Sequence, residues 1–360
     1  MLFPGSMSGE LTAVLAAFLT PAVLAEPARL FALRYDLIDR SARHHIVARR
    51  RVVPYLGGVL VVTGTVVPAL TITGRIDVRL TAVVAGAVTV GALGFLRDLR
   101  RIALPFGMAM QAMMAFALAI SQVRLGVLDT GWLDAALTAL WVLAVANAFR
   151  LLDRVDGMLP TVGCATSAPL AVAAFVTGQA ELAFLLLCFA AACCGILLHH
   201  APPMRIGMGA SGGHFAGFLI GSSAAVIRHT DHAAFDGLPM VLLVTSVAAV
   251  NAIVVLVAPQ TMGTGWGIVR INRLGFPLGP QLLLIFLLVG TAGAGLLAVL
   301  VSGGLMSTVG TVISTALVGM PLVVLLLQQP APLPPPNLPR LTERHVVPPA
   351  RTLVKEGVQQ

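Results

Sequence analysis

The stretch LWVLAVANAFRLLDRVDG, residues 140–157, is an apolar run that ends in four charges, Arg150, Asp153, Arg154 and Asp156. A helix that crosses a bilayer needs about 20 mostly apolar residues. The segment 132–149 meets that requirement. Two arginines and two aspartates therefore fall where the chain leaves a membrane. Ionisable groups at that depth are costly and mark function by default. Asp153 and Asp156 stand three residues apart, so one helix end can present both on the same side.

The rest of the chain has the same character. Of 360 residues, 58% are hydrophobic and 11% are charged, against about 25% charged in soluble domains. The mean hydropathy is +0.93. Such a composition implies a multi-pass protein of the cell membrane with one integral domain, and it excludes a nucleic-acid-binding role. The net charge is +8, and every base except Lys355 is arginine. No lysine is thus available for chemistry inside the membrane domain. Cys164, Cys188, Cys193 and Cys194 lie within apolar runs, which fits small packing residues rather than a disulfide framework or a zinc site. No basic segment precedes the first apolar run, so a retained helix is expected there, not a cleaved signal peptide.

Hydropathy predicts an all-α fold of about eleven transmembrane helices: 9–28, 55–74, 80–96, 105–122, 132–149, 159–178, 180–198, 212–228, 237–258, 281–302 and 306–328. Glu10 and Glu26 weaken the first. With the N-terminus outside and the C-terminus in the cytoplasm, 18 basic residues fall on the inside and 4 on the outside, as the positive-inside rule requires. The predicted division is a membrane domain over 1–328 and a proline-rich cytoplasmic tail over 329–360.

Five stretches on the predicted inside face combine glycine, proline and charge. They are YDLIDRSARHHIVARRRVVPYLGG (35–58), GFLRDLRRIALPFGMAMQ (94–111), NAFRLLDRVDG (147–157), HHAPPMRIGMGASGGHFAG (199–217) and IVRINRLGFPLGPQ (268–281). In this order they resemble the motifs of the polyprenyl-phosphate N-acetylhexosamine-1-phosphate transferases, of the glycosyltransferase 4 type. The resemblance runs from about residue 10 to residue 328. It implies a protein that takes a polyprenyl phosphate and a UDP-sugar in the membrane and works beside other proteins of cell-envelope assembly.

The resemblance also implies a set of site residues. Asp98, Asp153 and Asp156 match catalytic carboxylate positions, and Asn147 matches a substrate-binding position. The departures are systematic. Arg97 stands where the family has the first of two adjacent aspartates, and Gly107 falls on the expected lysine. Arg150 and Arg154 replace an asparagine and a glycine, and His200 replaces an asparagine before the prolines. Ala210 stands for the magnesium-holding aspartate, and Trp266–Val269 replaces a histidine-rich loop.

Three retained aspartates face three introduced arginines, so the cluster is neutral without a cation. Buried carboxylates need a partner, and guanidinium supplies directional hydrogen bonds. The expectation is therefore a site without a metal, in which Arg97, Asn147, Arg150, Arg154 and His200 hold a lipid phosphate and standard transfer is lost. Magnesium enters only in the alternative of a working transferase with an altered site. A transporter is a further alternative. His199, His200 and His214 admit a replacement metal set, weighed against plain interfacial histidines.

Overall fold

A computed structural model describes residues 7–35, 37, 53–72, 77–100, 103–126, 128, 130–153, 157–201 and 204–227. These residues form helices only: α1 Met7–Arg34, α2 Gly57–Ile72, α3 Val78–Leu99, α4 Leu104–Ile120, α5 Gly131–Leu152, α6 Met158–Val176, α7 Ala180–His200 and α8 Gly209–Val226. Each corresponds to one of the first eight predicted spans. The spans predicted at 237–258, 281–302 and 306–328 and the tail at 329–360 lie outside the described residues.

Helix α1 continues six residues past its predicted end at 28, through Pro21 and Pro27. A proline removes one backbone donor, which apolar helices tolerate where neighbours cover the freed group. Glu26 is paired with Arg29 at 3.4 Å one turn later. Among the described residues, five helices are long and apolar enough to cross a membrane: Ser8–Arg34, Val78–Leu99, Gly131–Leu152, Met158–Val176 and Ala180–His200. The chain is a multi-pass membrane protein.

Helix α8 is the axis of the fold. Every residue from Gly209 to Ala225 is buried. It packs on α3 and α5, with α2 and α6 also in contact, while α1 and α6 flank α7. Small residues make this possible, because in lipid the attraction between helices depends on close backbone approach. A Cβ at Gly217 would lie 2.6 Å from Ala146 Cα, and one at Gly213 would lie 2.6 Å from Arg150 Cα. On the opposite side, a Cβ at Gly94 of α3 would lie 2.5 Å from the Ala210 carbonyl oxygen.

The glycine pair at the start of α2 has the same role. Gly58 abuts Met208, Ser211 and Gly212 with no room for a side chain. Gly57 N–H donates to Gly207 O at 3.0 Å, and Gly207 N–H donates to Pro54 O at 2.9 Å. These bonds bring the start of α2 to the start of α8. The ends of α3, α5 and α7 meet there as well. The four cysteines are free, and Cys164 and Cys194 bring their sulfurs to 3.3 Å across the α6–α7 contact.

Candidate functional site

The first intrahelical bond of α8 is Gly212 N–H to Met208 O, at 3.1 Å. The four amides before it, on Met208, Gly209, Ala210 and Ser211, therefore have no acceptor within the helix. Two aspartates from other helices take all four. Asp153, just after α5, accepts from Met208 N at 3.1 Å through Oδ1 and from Gly209 N at 2.8 Å through Oδ2. Asp98, near the end of α3, accepts from Ala210 N at 3.1 Å and from Ser211 N at 3.2 Å. Carboxylates are favoured at this position, where the helix dipole is positive.

His200 completes the arrangement. Gly157 N–H donates to its Nδ1 at 2.9 Å, so that nitrogen carries no proton. The proton sits on Nε2, which donates to Asp153 Oδ1 at 3.0 Å. The His200 side chain is fully buried, and that of Asp153 is 9% exposed. Gly157 has φ +77°, a left-handed conformation suited to glycine, and this turn aims its amide at the ring.

These contacts come in addition to those expected by charge balance. The aspartates' hydrogen bonds go to backbone amides and His200, because α8 delivers four unsatisfied donors to the same point. Arg150 lies within electrostatic reach of Asp98 and of His214. Arg154 and Asp156 lie outside the described residues.

A second polar group lies next to the first. Asn147 Nδ2 donates to Leu143 O at 2.8 Å and to Gln111 Oε1 at 3.0 Å. With its carbonyl thus turned to Asn147, Gln111 points its amide nitrogen at His214, 3.2 Å from Nε2 and 3.4 Å from Nδ1. Gln111 and His214 border a narrow cleft between α3 and α4, lined also by Leu93, Phe106 and Met110. Arg97 and Gly107 border it too. Arg97 Nη1 is buried and has no hydrogen-bond partner among the described residues.

The three histidines do not converge. His199 Nε2 lies 2.9 Å from Ala22 O of α1, His200 meets Asp153, and His214 meets Gln111. The replacement metal set built on all three is therefore not assembled. The Gln111–His214 contact was absent from the expected site. A signal for it exists in the sequence: Gln111 is the one amide or charged residue in the otherwise apolar LPFGMAMQAMMAFALAI of α4.

The profile described as glycosyl transferase family 4 matches residues 80–228, a segment that contains Arg97, Asp98, Gln111, Asn147, Asp153, His200 and His214. A putative glycosyltransferase of Streptomyces coelicolor is 37% identical over 259 residues, covering 69% of this chain and 58% of that protein. A probable undecaprenyl-phosphate N-acetylglucosaminyl 1-phosphate transferase of Bacillus subtilis is 24% identical over 217 residues, 58% of this chain and 60% of that protein. A phospho-N-acetylmuramoyl-pentapeptide-transferase of Moorella thermoacetica is 32% identical over 100 residues, 28% of this chain and 31% of that protein. The chain thus spans less than two thirds of the length of these relatives.

Proposed function

Because the chain belongs to glycosyl transferase family 4, we propose that it binds a polyprenyl phosphate at the joined ends of α3, α5 and α8 without standard magnesium-dependent transfer of a sugar phosphate. In this reading it is a diverged member of a cell-envelope glycan pathway, placed with that end in the cytoplasm. Its partners are the lipid phosphate and other envelope-assembly proteins.

The observation that carries the reading is the engagement of Asp98 and Asp153. Together they accept five hydrogen bonds, four from α8 and one from His200. Magnesium requires near-octahedral oxygen coordination at about 2.0–2.1 Å. A cation at these carboxylates would face the inward-pointing N–H groups and the positive end of α8. Ala210, where the family resemblance expects a metal-holding aspartate, supplies only a backbone donor to Asp98. The described residues therefore do not fit the ion. The carboxylates act as helix caps, and the arginines supply the positive charge that a phosphate needs.

Loss of one acid, base or phosphate-facing group commonly costs about 10²–10⁴ in rate. Arg97 and Gly107 each stand in for such a group in the resemblance, so turnover of the usual reaction should be slight. The test uses purified protein, radiolabelled UDP-N-acetylhexosamine and undecaprenyl phosphate, with magnesium or manganese. The expected result is lipid binding with no labelled lipid product. Robust product formation by the unmodified protein would overturn the reading in favour of an active transferase, the activity named for the Bacillus and Moorella relatives.

A further inference from the structure

Cys164 of α6 and Cys194 of α7 bring their sulfurs to 3.3 Å. The close packing of the two helices sets this contact. A Cβ on Gly163, the neighbour of Cys164, would lie 3.1 Å from Cys193 Sγ and 3.3 Å from the Phe189 ring. With no side chain there, α7 comes close enough for the next residue on each helix, Cys164 and Cys194, to meet. A disulfide holds its sulfurs about 2.0 Å apart. From 3.3 Å the pair must close by about 1.3 Å, a shift within reach of small rotations of the two side chains.

The four cysteines do not share one environment. Cys188 and Cys193 are buried, at 0% and 1% exposure. Cys164 and Cys194 are half-buried. Each lies on the outer stripe of its helix. Val172, two turns after Cys164, is exposed, and so are Leu187 and Leu198 on either side of Cys194. Both helices are long and apolar enough to cross a membrane. Among the described residues, the seam that holds the two sulfurs therefore opens toward lipid. Oxidation of cysteine follows exposure, and at this place the exposure is to molecules dissolved in the bilayer.

We propose that Cys164 and Cys194 are a lipid-side redox pair, which an organic hydroperoxide carried in the bilayer oxidises to a disulfide that ties α6 to α7. In the first step one sulfur attacks the terminal oxygen of the hydroperoxide. The O–O bond breaks, an S–O bond forms, and the alcohol leaves with the thiol proton, so a sulfenic acid remains. The second sulfur then attacks the first. The S–O bond breaks, the S–S bond forms, and the hydroxyl leaves as water with the second thiol's proton. Two electrons pass from the sulfurs to the peroxide. The tie lies about 10 Å along both helices from the hydrogen bond between Gly157 and His200. It fixes the hairpin that carries His200 to Asp153. The pair stands apart from the carboxylate site and does not depend on what that site binds.

The experiment treats the reduced full-length protein in phospholipid nanodiscs with cumene hydroperoxide, then counts thiols by alkylation in denaturant and mass spectrometry. Two of the four free cysteines should be lost. The mass before alkylation should fall by about 2 Da for the two hydrogens removed, and dithiothreitol should restore both thiols. The Cys188→Ser/Cys193→Ser double variant should lose its two thiols as fast as the unmodified protein loses two. Cys164→Ser and Cys194→Ser should form no disulfide, and dimedone should trap the sulfur left alone as its sulfenic acid. Hydrogen peroxide at the same concentration should react about tenfold more slowly, because it does not enrich in lipid. Four free thiols after treatment overturn the pair, as does a disulfide that persists in Cys164→Ser or that links two protein molecules. Equal rates for the two peroxides overturn entry from the lipid. Should a serine variant fail to fold, peptic peptides of the unmodified protein decide, by showing whether Cys164 is joined to Cys194.

Discussion

Asp98 and Asp153 divide the first four amides of α8 between them, two each, although they come from different helices 55 residues apart. The pair ties α3 and α5 to the buried helix that separates them. It also sets the role of both carboxylates, since groups aimed at a helix N-terminus serve first as caps.

Removal of the two caps should not be equivalent. Asp153 holds two amides and His200, whereas Asp98 holds two amides. Asp153→Ala should cost about 2–4 kcal/mol, and Asp98→Ala about 1–3 kcal/mol. Asn retains one acceptor, so Asp98→Asn should fall between Asp98→Ala and the unmodified protein. Thermal unfolding in detergent, followed by circular dichroism, checks the order. Wild-type stability in Asp153→Ala would refute the capping role.

The tautomer of His200 follows from its two partners. Nitrogen-15 spectra of histidine-labelled protein should show a protonated Nε2 and an unprotonated Nδ1 at this residue. His200→Phe keeps an aromatic ring but leaves the Gly157 amide and one Asp153 oxygen without this partner, at a cost of about 2–3 kcal/mol. A spectrum with the proton on Nδ1 would contradict the geometry.

Two glycines should respond in opposite ways to the same change. At Gly217 a Cβ would meet Ala146 Cα at 2.6 Å, Val145 O at 2.8 Å and Phe149 Cβ at 2.9 Å. Gly217→Ala must force α8 and α5 apart, with a loss of about 1–3 kcal/mol. Gly107→Ala has open space and gains helix propensity of up to about 1 kcal/mol. Parallel melts of the two variants compare them directly. Equal effects would mean that the α5–α8 approach is looser than described.

The proposed topology has its own measurement. Fusions of an alkaline phosphatase or a fluorescent protein after residue 330 should report a cytoplasmic position, and fusions between α5 and α6 should report the same side. A phosphatase-active fusion at either point would reverse the orientation derived from the 18 and 4 basic residues.

Much of the fold was legible in the sequence. An apolar run of about 20 residues has few stable states other than a helix across the bilayer, so eight helices could be placed from hydropathy alone. The motif order also located Asp98, Asn147, Asp153 and His200 in one region, and the structure brings their helix ends together. What charge counting could not foresee was the backbone partners. Summing three aspartates against three arginines gives neutrality but carries no information on distance. The donors that reach Asp98 come from residues 112 and 113 positions later. They are backbone amides, identical in every sequence and visible only once α8 is threaded between α3 and α5. Composition and periodicity determined that this chain is helical and membrane-embedded. Tertiary packing decided which carboxylates cap a helix and which guanidinium is left facing a cleft, because a buried polar group takes its partner from whatever donor the fold brings within about 3 Å.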